Sequence, residues 1–209
     1  MVEPLTKTPE GSSWLTSYAK IRADGYVLLA SLLIQPPSEN LLKVLQSLQW
    51  DEPIPEKLDR ALEALRQASR DYSPSALENE YNRLFVGLGC GELVPYASWY
   101  VEKMIQSSPL VSLRSDLVLL GIVRQAGIHE SEDHAGALCE CMALISREPN
   151  EIDHAKQANF FKEHIAPWMT TFFRDLESAK SARFYRAVGG FGRHFLESEI
   201  EYFKLDGDE

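Results

Sequence analysis

Cysteine is scarce in this chain. The three present, Cys90, Cys139 and Cys141, give no disulfide framework and fit a reducing compartment. Long apolar runs are missing as well. The longest, VLLASLLI from Val27, is far too short to cross a bilayer as a straight helix, so no stable membrane insertion is expected. The opening MVEPLTKTPEGSS lacks the basic and apolar regions of a secretory leader, which makes the cytoplasm the expected location. Positive charge is in deficit: 21 basic against 31 acidic residues leave −10, which argues against a nucleic-acid backbone as the main partner. The same balance suits a cationic peptide and also simple solubility. No segment alternates with period two for long enough to read as a strand, and internal repeats, low-complexity tracts and flexible linkers are absent.

What remains is helix after helix. At 209 residues with 44% hydrophobic content, the chain can bury a sizeable core. A first helix, capped by Ser12 or Ser13, carries Trp14, Tyr18, Ile21, Gly25 and Leu32 on one stripe; Gly25 there implies the close approach of a neighbouring helix. Pro36-Pro37 ends it, and Ser38 caps a helix with Leu41, Leu42, Leu45 and Leu48. Pro53 and Pro55 precede a third, marked by Leu58, Leu62 and Leu65. Ser73-Pro74 and Ser108-Pro109 are both start signals, a capping hydroxyl before a proline at the first helical position. The helix after Pro109 is expected to stop near Gly127, and Ser131 to cap the next with Glu132 and Asp133 in its first turn. On that helix His134, Leu138, Cys141, Met142 and Ile145 share a face, and Pro149-Asn150 breaks the chain after it. Helix then runs from Ile152 to Ser178 with a break or kink at Pro167. A final helix spans roughly Ser181 to Leu205, bent or tightly packed at Gly189, Gly190 and Gly192. The expected fold is all-α, a single globular helical domain of about nine to eleven helices over residues 13–209, behind a flexible segment 1–12.

One stretch departs from this monotony. Leu77, Tyr81, Leu84 and Phe85 form the stripe of a helix that stops at Gly87, Gly89 and Gly91. Pro95 and the polar-aromatic cluster Tyr96, Ser98, Trp99 and Tyr100 follow, with a short helix expected from Ser98 to Gln106. The loop reads as one wall of a recognition site. Its GLGCGE run has neither the lysine nor the Ser/Thr of a phosphate-binding loop, and it follows a helix rather than a strand. Cys139 and Cys141, two apart on a helix, point in nearly opposite directions and do not converge on one ion. A second cluster, His129-Glu130-Ser131-Glu132-Asp133-His134, has two readings. Its acids and serine suit a helix start, while two histidines among three carboxylates also suit a metal or acid–base site.

Both clusters carry a family resemblance. Glu80-Tyr81-Asn82-Arg83-Leu84-Phe85-Val86-Gly87, followed by Pro95-Tyr96-Ala97-Ser98-Trp99-Tyr100, resembles the first signature of the TorD/DmsD/NarJ-type redox enzyme maturation chaperones, closest to the TorD-like branch. There an E-x-x-x-L-F pattern leads into a loop ending in P-x-x-S-x-Y. Glu130-Ser131-Glu132-Asp133-His134 resembles the second, approximately E-P-x-D-H, and the late pattern Phe161, His164, Pro167-Trp168 and Phe172 also fits. Leu88 stands where many members have proline, and Ser131 replaces the proline of the second signature. The resemblance spans nearly the whole chain.

It implies a cytoplasmic chaperone, not an enzyme, without cofactor or metal of its own. Its partners would be the apo form of a molybdenum oxidoreductase catalytic subunit and that subunit's twin-arginine leader, with export held back until the molybdopterin is inserted. Asp133, with Glu130 and Glu132, would pair with the leader's arginines. His134 would orient Asp133 or bond peptide backbone. Tyr96, Ser98, Trp99 and Tyr100 would complete the peptide site, whereas Tyr81 and Phe85, with Glu80, Leu84, Gly87 and Pro95, belong to the motif's framework and Tyr81 and Phe85 to the core. A monomer or a domain-swapped dimer fits the resemblance. Two other readings stand beside it: a metal-dependent hydrolase using His129, Glu132, Asp133 and His134, and a generic helical adaptor.

Overall fold

The computed structural model describes residues 11–50, 53–87, 91–101, 109–124, 127, 130–147 and 152–204, with side chains from Tyr18 onward. Among these, ten α-helices and one π-helical turn appear, and no strand. The helices are α1 (Gly11–Leu33), α2 (Glu39–Ser47), α3 (Glu56–Asp71), α4 (Pro74–Tyr81), α5 (Ala97–Val101), α6 (Pro109–Leu119), α7 (Ala135–Arg147), α8 (His154–His164), α9 (Met169–Ser178) and α10 (Phe184–Lys204). None is long and apolar enough to cross a membrane. The all-α expectation holds, and its helix count falls inside the expected range.

Several starts follow the sequence. The Ser38 hydroxyl accepts the Leu41 N–H at 3.2 Å, and that of Ser73 accepts the Ala76 N–H at 3.4 Å with Pro74 opening α4. Asp153 caps α8 through the Lys156 N–H at 2.9 Å. The break at Pro167 is real: residues 165–168 form a turn between α8 and α9. Other boundaries move. Ser12 and Ser13 lie inside α1 rather than before it. The helix after Pro109 ends at Leu119, eight residues short of Gly127, where Gly121 takes φ of 70°. Residues 131–133 form a turn, so α7 starts four residues after Ser131. The positions Gly89, Cys90, Gln106, Ser108, His129, Pro149 and Asn150 lie outside the described residues, as does the segment 1–10.

The core assembles around three pairings, α1 against α7, α10 against α9 and α10 against α3. Leu29, Leu32, Leu138, Met142 and Ile145 are fully buried in it, as are Phe172, Phe173, Val188 and Phe191. Glycines set the closest approaches. A Cβ on Gly25 would enter the ring of Phe195 on α10, and one on Gly192 would enter the ring of Phe173 on α9. At Gly189 it would lie 2.7 Å from the Glu177 backbone nitrogen. The glycines of the last helix are therefore there for tight packing.

Buried polar groups stitch these helices together. Arg22 of α1, 2% exposed, donates to both carboxylate oxygens of Glu199 on α10, at 2.7 and 2.8 Å. Its third nitrogen reaches Gln157 of α8 at 3.0 Å, and the Tyr26 hydroxyl donates to Glu199 at 2.9 Å. The guanidinium lies over the rings of Tyr202 and Phe203, 4.1 and 4.8 Å from their centroids. Burial works against the charge on Arg22, but the adjoining Glu199 carboxylate outweighs it and raises its pKa. At the other end of α1, the orphan carbonyls of Leu32, Leu33 and Ile34 accept tyrosine hydroxyls, from Tyr185 at 2.9 Å and from Tyr81 at 3.1 and 3.0 Å.

The first signature helps to hold α10. Glu80, 3% exposed, accepts the N–H groups of Arg183, Phe184 and Tyr185 at 2.7, 3.3 and 2.9 Å, which makes it the N-terminal cap of a helix about a hundred residues away. After Tyr81 the chain widens into a π-helical turn, Asn82–Val86, closed by Gly87 N–H to Asn82 O at 2.7 Å. Gly87 leaves it at φ of 60°, as its type predicts. The returning chain bonds back onto this turn, Leu93 N–H to Leu84 O at 2.8 Å, and a Cβ on Gly91 would lie 2.6 Å from the Phe85 carbonyl carbon. Leu84 is fully buried, and Phe85 packs edge-on to Tyr81 and Tyr185, centroids 5.0 and 5.3 Å away. Glu92 accepts N–H groups of Lys180 and Ser181 in the α9–α10 turn.

Two stability outcomes are expected. Arg22→Met leaves Glu199 buried without its counterion and should cost about 3–5 kcal/mol in urea unfolding, part of it recovered in Arg22→Met/Glu199→Leu. Glu80→Ala strips the cap from α10 and should cost about 1.5–3 kcal/mol, with Glu80→Gln losing less because an acceptor remains.

Candidate functional site

The two signatures meet at a single antiparallel bridge, Tyr96 opposite His134. Its bonds are Ala97 N–H to Asp133 O at 3.0 Å and Ala135 N–H to Pro95 O at 2.8 Å. Around it, Asp133 and His134 each close one helix. Asp133 Oδ2 accepts the Ser98 N–H in the first turn of α5 at 3.0 Å, and its Oδ1 accepts the Ser131 hydroxyl at 2.5 Å. His134 Nδ1 accepts the Gly136 N–H at 3.1 Å, so this ring, and not Ser131, caps α7. The Ser131 hydroxyl is a donor here, which is why the capping role passes three residues on. Gly136 leaves room for the arrangement: a Cβ there would lie 2.5 Å from Ile34 and 3.2 Å from the His134 ring.

Asp133 and His134 are 2% and 4% exposed. Burial lowers the His134 pKa from its ordinary 6.5, partly offset by the Glu130 and Asp133 carboxylates. Because Nδ1 accepts a bond, the neutral ring carries its proton on Nε2. The Tyr96 ring stands edge-on to it, 5.1 Å between centroids, and its hydroxyl donates to Glu130 at 2.6 Å. Burial and that carboxylate push the Tyr96 phenol up.

Glu130 is exposed and also accepts the Ser131 N–H at 3.1 Å. Glu132 receives two guanidinia. Arg114 of α6 donates Nε at 3.2 Å and Nη2 at 3.0 Å, and Arg124 approaches at 3.5 Å. The bond from Arg114 holds the Glu132 carboxyl below its usual range against the opposing effect of burial. Trp99 is 53% exposed on α5. Tyr100 turns away toward α9: its hydroxyl donates to Asp175 at 3.1 Å and its ring lies 5.4 Å from Trp168.

The structure thus brings together Tyr96, Ser98, Glu130, Ser131, Asp133 and His134, with Glu132 facing Arg114 and Arg124, while Tyr100 belongs to another wall. Arg114, Arg124 and Asp175 escaped sequence reasoning, because their pairings span turns and long separations with no local pattern. His164 bonds Asp116 of α6 at 2.7 Å, and its carbonyl accepts the Trp168 indole N–H at 2.8 Å, so this part of the late pattern is framework. Among the described residues no group of three or more His, Cys, Asp or Glu side chains is placed to hold a metal ion. Asp133 Oδ2 and His134 Nδ1 are each engaged by a backbone N–H group.

Known proteins resemble this chain in sequence and in fold. Chaperone protein TorD of Vibrio cholerae is 22% identical over 197 residues, covering 85% of this chain and 90% of that protein. Chaperone protein TorD of Aliivibrio salmonicida is 24% identical over 144 residues, 64% of this chain and 67% of the other. The fold resembles the crystal structure of a protein from Archaeoglobus fulgidus described as a redox enzyme maturation protein. The TM-score is 0.51 at 16% identity, over 94% of this chain and 99% of that one. The sequence profile of the family described as nitrate reductase delta subunit matches residues 51–174, a span that contains both signatures and the bridge between them. On that match, the chain belongs to the nitrate reductase delta subunit family.

Proposed function

We propose that this protein is a chaperone for molybdoenzyme maturation, not an enzyme, and that it binds the twin-arginine leader or the apo form of a molybdopterin oxidoreductase catalytic subunit in the cytoplasm. The observation that carries the leader reading is Glu132. A carboxylate on which two guanidinia of the chain already converge, beside the exposed Glu130, is a geometry two neighbouring arginines of a peptide can take over. Trp99, half exposed, adds aromatic surface for the leader's apolar stretch or for a cation. Asp133 and His134 serve as positioning residues: by capping α5 and α7 they fix where Tyr96, Glu130 and Glu132 stand. Ser98 contributes its backbone N–H to that frame, and Tyr100 buttresses α5 against α9. Holding the leader would delay export until the cofactor is in place, and a monomer or a domain-swapped dimer can present this surface. The hydrolase and adaptor readings have less support. The first loses Asp133 and His134 to helix caps, and the second gives no reason for paired guanidinia on Glu132.

Calorimetric titration with a twin-arginine leader peptide from a molybdoenzyme of the source organism tests the reading. Binding should be lost when both arginines are alanine. Glu130→Gln/Glu132→Gln should weaken it at least about tenfold, roughly 1.4 kcal/mol. Failure of every such peptide to bind would sink leader recognition. A titration of stability checks the frame. The pKa of His134 is lowered in the folded state, so its contribution is complete above the unfolded value of 6.5 and declines as pH falls below it. Between about pH 7.5 and about pH 5.5 the wild-type melting temperature should fall more than that of His134→Asn, which keeps a capping acceptor without titrating. Parallel curves would remove the ring from this role.

A further inference from the structure

A groove lined by four cations lies between α3 and α10. It has a volume of about 620 Å³ and is floored by Ala61, Ala64, Ala187 and Gly190. Lys57 and Arg60 stand on its α3 side, Arg183 and Arg186 on its α10 side. Its one acidic lining residue, Glu177, is taken by Arg193 at 2.6 and 3.2 Å. Arg60 bonds Glu56, and Arg183 donates to the carbonyls of Lys180 and Ala182 at 3.1 and 2.8 Å. Among the described residues Lys57 and Arg186 have no hydrogen-bond or ion-pair partner. In a chain of net charge −10, four cations along one groove with no free carboxylate are a local reversal of sign.

Shape decides what fits. The lining positions recur every three or four residues on both helices, so the groove follows the helix axes. Lys57 to Ala64 spans about 10 Å and Arg186 to His194 about 12 Å, at 1.5 Å per residue. The cations flank this trough in pairs, Lys57 and Arg60 one turn apart on α3 and Arg183 and Arg186 across the start of α10, and do not gather at one point as a compact anion requires. The floor of alanine and glycine admits the close approach of another backbone. We propose that this groove binds a carboxylate-rich helical segment of a partner polypeptide, its acids facing Lys57, Arg60, Arg183 and Arg186. A twin-arginine leader is excluded as the occupant by its own charge, so this is a second contact surface and stands independently of leader recognition.

The probe is a blocked helical peptide of alanine with glutamates at i, i+3, i+4 and i+7, labelled for fluorescence anisotropy, beside its glutamine counterpart. The full-length protein should bind the glutamate peptide at least tenfold more tightly than the glutamine one. Lys57→Glu/Arg186→Glu should weaken binding at least tenfold, while Lys20→Glu/Lys162→Glu, the same net change on other exposed surfaces, should leave it within twofold. Both pairs are solvent-exposed, and matched melting temperatures check that each variant folds. Equal affinity for the two peptides, an equal loss in both variants, or displacement of the peptide by micromolar inorganic pyrophosphate would overturn the proposal. So would displacement by self-association of the protein at the same concentrations. Leader titration of Lys57→Glu/Arg186→Glu should match wild type, which separates failure of this surface from failure of leader recognition.

Discussion

Arg22 and Glu199 place a positive and a negative charge where water does not reach, and the packing of the first and last helices is organised around keeping them paired. A guanidinium has five donors to satisfy, and here α10, α8 and two aromatic faces share the task. Neutral side chains of similar volume would fill the space as well, so the pair's effect is geometric: it admits one register of α1 against α10. The tyrosine hydroxyls on the last carbonyls of α1 and the Glu80 carboxylate on the first N–H groups of α10 hold those ends in the same way. The bundle is fixed at helix termini by side chains from distant segments, with apolar packing filling what lies between.

That arrangement explains why the signatures read as motifs. Residues that look chemical in a linear sequence, Glu80, Asp133 and His134, are acceptors for backbone N–H groups. Each is buried, polar and irreplaceable by an apolar group without orphaning a donor. Glu130 and Trp99, which face solvent, and Glu132, which meets Arg114 and Arg124, stand where they do because of these caps. Recognition and architecture are divided between adjacent residues of one short stretch.

Local features of the fold were legible in the sequence: the Ser-Pro start of α4, the break at Pro167, the close packing at Gly25 and Gly192, and the all-helical class. Each depends on a residue's own conformational limits or on periodicity within one helix. The boundaries that moved depend on partners elsewhere. α7 begins after His134 because Ser131 is drawn into the Asp133 turn, and α10 begins at Phe184 because Glu80 supplies its cap. The π-helical turn left no mark in composition, since its extra residue per turn is stabilised by the returning loop. At the site, the residue types pointed to the right stretch of chain. They did not reveal that Tyr100 leaves it for α9 or that Arg114 and Arg124 enter it.

The bridge between Tyr96 and His134 has a thermodynamic consequence. Three N–H groups, those of Ala97, Ser98 and Ala135, find their acceptors only while segments 95–98 and 133–136 lie side by side. Neither helix start can fray alone, because the acceptors of one lie in the segment that begins the other. Opening at this point is therefore a single cooperative event that frees N–H groups at the start of both helices. Any ligand that grips only one of the two segments stabilises both.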